Sequence, residues 1–210
     1  MKVFYPSCNY AIASRENAKK LRAIMKEKMD VAGCCLYDKR DPKDVVGVYM
    51  CQHCRETIET KMPTLSLWEY LLEIEYPFPQ YNHTKMVLQD CWRDRNHPEI
   101  HDAVREILHR MQIDVVEMKY NRQNARFCGT LHYETDNAEL HQRISQYPNT
   151  KISDLPEELQ CALMQDNFRD VDPDLTIIVD CNRCKKGVEL AGRKAEHLMD
   201  LILTNNAQED

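Results

Sequence analysis

Glycine is scarce in this chain, with five in 210 residues, and neither a G-x-G-x-x-G stretch nor a Walker A sequence occurs. The glycine-rich loops that cradle nucleotide phosphates are thereby excluded. Long apolar runs are missing too. No stretch approaches the roughly 18 consecutive apolar residues that cross a bilayer, and the opening MKVFYPSC reaches a cysteine before a signal-peptide apolar region forms. There is no cationic excess: the formal net charge is -6 and the basic residues are scattered, which argues against neutralising nucleic-acid phosphates. The expectation is a cytoplasmic protein with no transmembrane segment and no nucleic-acid partner.

Cysteine, by contrast, is abundant, with ten in the chain. A cytosol keeps thiols reduced, so this number points to metal or redox chemistry rather than to a disulfide framework. Lys2 to Tyr5, Asp30 to Gly33 and Val45 to Met50 read as strands, and they lead into Cys8, the pair Cys34 and Cys35, and Cys51-Gln52-His53-Cys54. Ser14 is expected to cap a helix from Arg15 to Lys28. A second helical segment starts near Ser66, with Leu67, Tyr70 and Leu71 inward.

After the proline-containing stretch YPFPQYNH the pattern restarts. Lys85 to Asp90 is a strand ending at Cys91, and Ile100 to Gln112 is a helix with Ile100, Val104, Leu108 and Met111 in a stripe. Asp114 to Met118 is a strand, and the polar loop beyond it delivers Phe127 and Cys128. Helices near Ala138 to Tyr147 and Pro156 to Asn167 have no equivalent in the first half. Leu175 to Asp180 is a strand ending at Cys181-Asn182-Arg183-Cys184, and one long helix is expected to close the chain at about Thr204.

Alternation of this kind predicts an α/β fold of two tandem, pseudo-repeated lobes. Each is a small parallel sheet with flanking helices and cysteines at the strand carboxyl ends. The expected boundaries are 1-80 and 84-210, the second lobe carrying the helical insertion. In such sheets the strand ends converge, and so should the cysteines of each half. Thiolate-rich sites select zinc, copper(I) or iron-sulfur clusters. Four cysteines satisfy tetrahedral zinc or a cubane cluster, whereas the first half offers five.

A lone Cys, a Cys-Cys pair and a C-x-x-C in tandem halves resemble the cysteine-rich CCG domain of the heterodisulfide reductase family. QDCWRDR at 89-95, NRQNARFCGT at 121-130, VDCNRC at 179-184 and MCQHCRETI followed by LSLWEYL extend the likeness over nearly the whole chain. In that family each five-cysteine motif holds a non-cubane [4Fe-4S] cluster, and paired clusters cleave a heterodisulfide. The resemblance implies cluster ligation by Cys8, Cys34, Cys35, Cys51 and Cys54, and by Cys91, Cys128, Cys181 and Cys184. Phe127 stands where the second half would carry the first cysteine of its pair, and Leu36 replaces the glycine after the first pair. The four thiols left in the second half suit a [4Fe-4S] cubane or zinc.

The resulting expectation is the iron-sulfur subunit of a disulfide reductase-like complex, an oxidoreductase with Cys34 and Cys35 as catalytic residues. Its substrate would be a small thiol or disulfide, and its electron donor a flavoprotein or ferredoxin-like subunit. The plainer alternative is an electron-relay or zinc-stabilised interaction subunit without catalytic activity. His53 reads as a donor to a cluster sulfur or as a solvent-facing loop residue. His132 reads as a replacement ligand or as an ordinary histidine. Trp92 reads as a shield over the second site or as packing. Arg126 and Arg183 read as charge-balancing or solvated cations, and Cys161 as a core thiol.

Overall fold

The computed structural model describes residues 1–204 and shows two four-stranded sheets, each wholly parallel. The first is built from β1 (Lys2–Tyr5), β2 (Asp30–Val31), β3 (Val46–Tyr49) and β4 (Thr64–Ser66), in the order β2-β1-β3-β4. The second uses β5 (Thr84–Gln89), β6 (Ile113–Glu117), β7 (Ile177–Val179) and β8 (Ala195–His197), in the corresponding order β6-β5-β7-β8. The inner strands read as near-continuous apolar runs because both their faces are covered. Val3, Phe4 and Val48, and Ile177, Ile178 and Val179, are all fully buried.

Nine helices join these strands among the described residues: α1 (Cys8–Ala13), α2 (Arg15–Lys26), α3 (Gln52–Ile58), α4 (Leu67–Glu73), α5 (Pro98–Arg110), α6 (Ala138–Ser145), α7 (Glu157–Asn167), α8 (Asn182–Leu190) and α9 (Leu198–Leu203). Helix α5 starts on a proline at its first turn, where a missing N–H costs nothing. Its expected stripe, Ile100, Val104, Leu108 and Met111, is buried throughout. Helix α4 begins with a capping box. The Ser66 hydroxyl accepts from Glu69 N–H, and the Glu69 carboxylate accepts from Ser66 N–H at 3.1 Å. No helix is long and apolar enough to cross a membrane.

Three local expectations are corrected. The closing segment is not one helix: α8 stops at Leu190, the chain turns at Gly192 with φ +74, and β8 pairs with β7 before α9 begins. That turn is open to glycine because a side chain at positive φ is strained. Ser14 does not cap α2 through its side chain. Its hydroxyl donates to Asp200 at 2.9 Å, and Ser7 caps the unforeseen helix α1 by accepting from Tyr10 N–H. Each sheet also gains an unforeseen edge strand, β4 or β8, after its C-x-x-C helix.

The sheets share one hydrophobic core, in which Val3, Phe4 and Val48 of the first belong with Leu88 and Ile178 of the second. Helix α4 packs on α5, and α2 on α9. A second core holds Val87, Phe127, Leu163, Phe168, Val179 and Val188, and Cys91, Cys128, Cys181 and Cys184 belong to it.

Candidate metal centre

Parallel strands deliver their cysteines to one end of each sheet. Cys91 follows β5, Cys181 follows β7 and starts α8, Cys184 lies in the first turn of α8, and Cys128 comes from the loop beyond β6. The four sulfurs all lie within 4.8 Å of one another, with Cys91 Sγ and Cys128 Sγ 3.4 Å apart. None of the four residues is more than 5% exposed. This group can hold a metal ion or an iron-sulfur cluster.

Its electrostatics show why a cation belongs there. Hydrogen bonds from Cys128, Cys184 and Cys91 hold the Cys181 thiol well below the usual thiol range. Burial pushes Cys91 and Cys184 well above it, and the hydrogen bond with Cys181 does most to raise Cys128. A single thiolate shared by three thiols is the most negative charge this dry space tolerates without a counter-ion. A bound cation inverts that preference and deprotonates every ligand.

The loop bearing Cys128 is held by backbone contacts. Trp92 N–H donates to Phe127 O at 2.9 Å, and Cys128 N–H donates to His132 O at 2.8 Å. The loop lies so close to α8 that a Cβ on Gly187 would stand 2.6 Å from Gly129 Cα and 2.7 Å from Phe127 Cζ. Gly187→Ala is therefore expected to lower stability by about 1–3 kcal/mol through overpacking, and to loosen the hold of Cys128 on the site. Urea denaturation with metal analysis measures both, and an unchanged midpoint with full metal content would refute the close-approach reading.

Phe127 fills core space rather than offering a ligand, packing edge-on against Tyr133 and Phe168. His132 is stacked on Trp92 with centroids 3.9 Å apart and its Nε2 lies 2.9 Å from Glu134 Oε1, so it is not a fifth ligand. Trp92, with the Arg95 guanidinium 4.4 Å from its ring, forms a wall beside Cys91. Arg126 is engaged by Asp136 and lies over the Tyr120 ring. The cation whose field reaches Cys91 and Cys128 is Arg93, which sequence reading passed over.

In the first half, Cys8 is exposed, Cys34 and Cys51 are half-buried, and Cys35 and Cys54 are buried. Cys51 is lowered to about 5, first by its hydrogen bond with Cys54 and further by Ser7 and the Cys54 and His53 N–H groups. Cys54 is pushed far up by that same bond, by burial and by Cys35. Burial and then Cys34 raise Cys8, with Cys35 and Cys51 adding to it. All five thiols therefore feel one another's charge. His53 is exposed, and Cys161 is half-buried in α7 outside both groups.

The structure adds charged partners between the halves. Arg55, the residue directly after the first C-x-x-C, forms a buried ion pair with Asp94, three residues beyond Cys91. Gln52 Nε2 also donates to Asp94, at 2.6 Å, and Arg93 pairs with Glu56. Lys185, at the matching position after the second C-x-x-C, reaches Asp200 at 3.2 Å, and Asp200 also accepts from Tyr10, Ser14 and Asn17.

No family model matches the chain, and no curated protein matches it. A solved structure resembles it: an aspartate racemase from Picrophilus torridus, 8% identical, with a TM-score of 0.34 over 96% of this chain and 90% of that one. The expected oxidoreductase, with Cys34 and Cys35 as its catalytic pair, is corrected here. The matched structure is named as an isomerase and not an oxidoreductase. In addition, the crevice between Cys51 and Cys181 has a volume of about 10 Å³, room for roughly one water molecule and not for a disulfide. At this level of similarity the racemase's own chemistry is not carried over either.

Proposed function

We propose that the chain is a metal-holding, non-catalytic subunit of the kind suggested by its likeness to the CCG domains of the heterodisulfide reductase family, with zinc in the second half and an iron-sulfur cluster in the first. The observation that carries the reading is the mutual approach of four buried sulfurs within 4.8 Å. Four thiolates on one tetrahedral zinc, at Zn–S of about 2.3 Å, stand roughly 3.8 Å apart. The thiolates of a cubane bind four separate irons and stand wider. Bound zinc supplies charge neutralisation and a cross-link, and the residues do the rest: α8 presents Cys181 and Cys184, and β5 and the Phe127 loop close over them.

The five thiols of the first half suit a multi-iron centre, where neighbouring cysteines reach different irons or one bridges. Cys8 is exposed, so this group is open to exchange electrons with a flavoprotein or ferredoxin-like partner. Anaerobic purification followed by zinc, iron and acid-labile sulfide analysis with EPR tests both halves. Zinc should survive Cys8→Ser and disappear in Cys184→Ser, while iron and sulfide should disappear in Cys34→Ser. Iron retained in Cys34→Ser but lost with Cys184→Ser would overturn the assignment.

A further inference from the structure

Helix α1 is short and barely covered. Tyr10 is its buried residue, while Ala11, Ile12 and Ala13 face solvent, with Ile12 84% exposed. Between α1 and α2 lies a groove of about 250 Å³. Pro6, Ala11, Ala18 and Leu21 give it an apolar floor, and Arg15, Lys19 and Arg22 give it a basic rim. No carboxylate lines it. Glu16, the acid on the first turn of α2, is held by Lys19 at 2.7 Å, and Arg15 and Arg22 form no ion pair among the described residues. Asp200, beneath the helices, is already satisfied by Tyr10, Ser14, Asn17 and Lys185.

We infer that this groove docks an acidic segment of a protein partner that presents an apolar side chain. The whole chain carries a formal charge of -6, so an apolar groove rimmed by cations alone is a local exception. Charge complementarity selects a carboxylate-rich partner and excludes basic ones. The floor takes the partner's anchor, as apolar pockets do at interfaces, with Ile12 extending the contact. A nucleic-acid strand fits less well, since three cations over an apolar floor offer little for a run of phosphates. Cys8 opens α1, so the partner sits beside the exposed thiol of the first half. The proposal stands on the groove itself and is independent of what the thiols hold.

The test uses the full chain and a fluorescein-labelled amphipathic peptide with Glu on one face and Leu on the other. Fluorescence anisotropy is expected to show saturable binding that weakens as salt rises. The doubly reversed variant Arg15→Glu, Arg22→Glu is expected to bind about tenfold more weakly or worse, and Ile12→Asp and a Leu→Ser peptide are expected to weaken binding as well. All three positions are exposed, so circular dichroism should give an unchanged thermal midpoint for each variant. Absence of saturable binding, equal binding in the variants, or equal binding of a Lys-for-Glu peptide would overturn the proposal.

Discussion

Cys184→Ser is expected to empty the second-half metal site and to cost more than about 5 kcal/mol of stability, set against the roughly 10–16 kcal/mol with which structural zinc stabilises small zinc-finger peptides. The size follows from where the site sits. The four cysteines are members of the second core, and the bound ion ties β5, the Cys128 loop and α8 together at a point where little else joins them. A strong chelator should reproduce the effect on the unmodified chain, because metal that binds the folded state alone stabilises it by mass action. Cys8→Ser, at an exposed position of the other group, is the matched control and should leave the main transition in place. Calorimetry with and without chelator measures the outcome. A thermal midpoint that ignores both the chelator and Cys184→Ser would remove the structural-metal reading.

The cysteine groups were legible in the sequence because buried parallel strands are apolar runs, and each such run here ends at a cysteine. Lys2–Tyr5 matches the expected strand end for end, and the other five expected strands lie within two residues of their observed ends. The edge strands were hidden for the opposite reason. Thr64–Ser66 and Ala195–His197 are three residues long and carry hardly an apolar side chain, since an edge position asks for pairing to one neighbour only. A signal for their existence was nonetheless present: Gly192 stands just where a helix would stop. Asp94 and Asp200 were unreadable as partners, because Arg55 lies 39 residues from the first and Tyr10 lies 190 from the second. Ser14 shows the same limit. Its type and place suited a cap, and a carboxylate brought by a distant helix claimed its hydroxyl instead. Phe127 was legible only as a departure from a motif; its role in filling the core depends on Phe168 and Tyr133, which local pattern does not bring together.

Asp94→Ala is expected to lower stability by about 3–5 kcal/mol, the range for breaking one side of a buried ion pair. Asp94 is 1% exposed and Arg55 is 4% exposed, so the variant leaves a guanidinium in the core with only Arg93 O, at 2.8 Å, and the more distant Glu56 and Glu59. Burial raises the Asp94 carboxyl to about 6, against the opposing pull of Arg55 and Gln52. That value lies above the roughly 3.9 of an unfolded chain, so the folded protein holds a proton there that the unfolded one has released. The resulting stabilisation is fully present below about pH 3.9 and is lost as pH rises through about 6. Asp94→Asn should remove this part of the pH dependence, which urea denaturation from pH 4 to 7 in metal-loaded protein would reveal as a flatter profile than that of the parent. The pair also spans the halves, with Arg55 directly after Cys54 and Asp94 three residues after Cys91. Its loss should therefore reduce metal retention at both cysteine groups, whereas an effect confined to one would show that the two sites are braced separately.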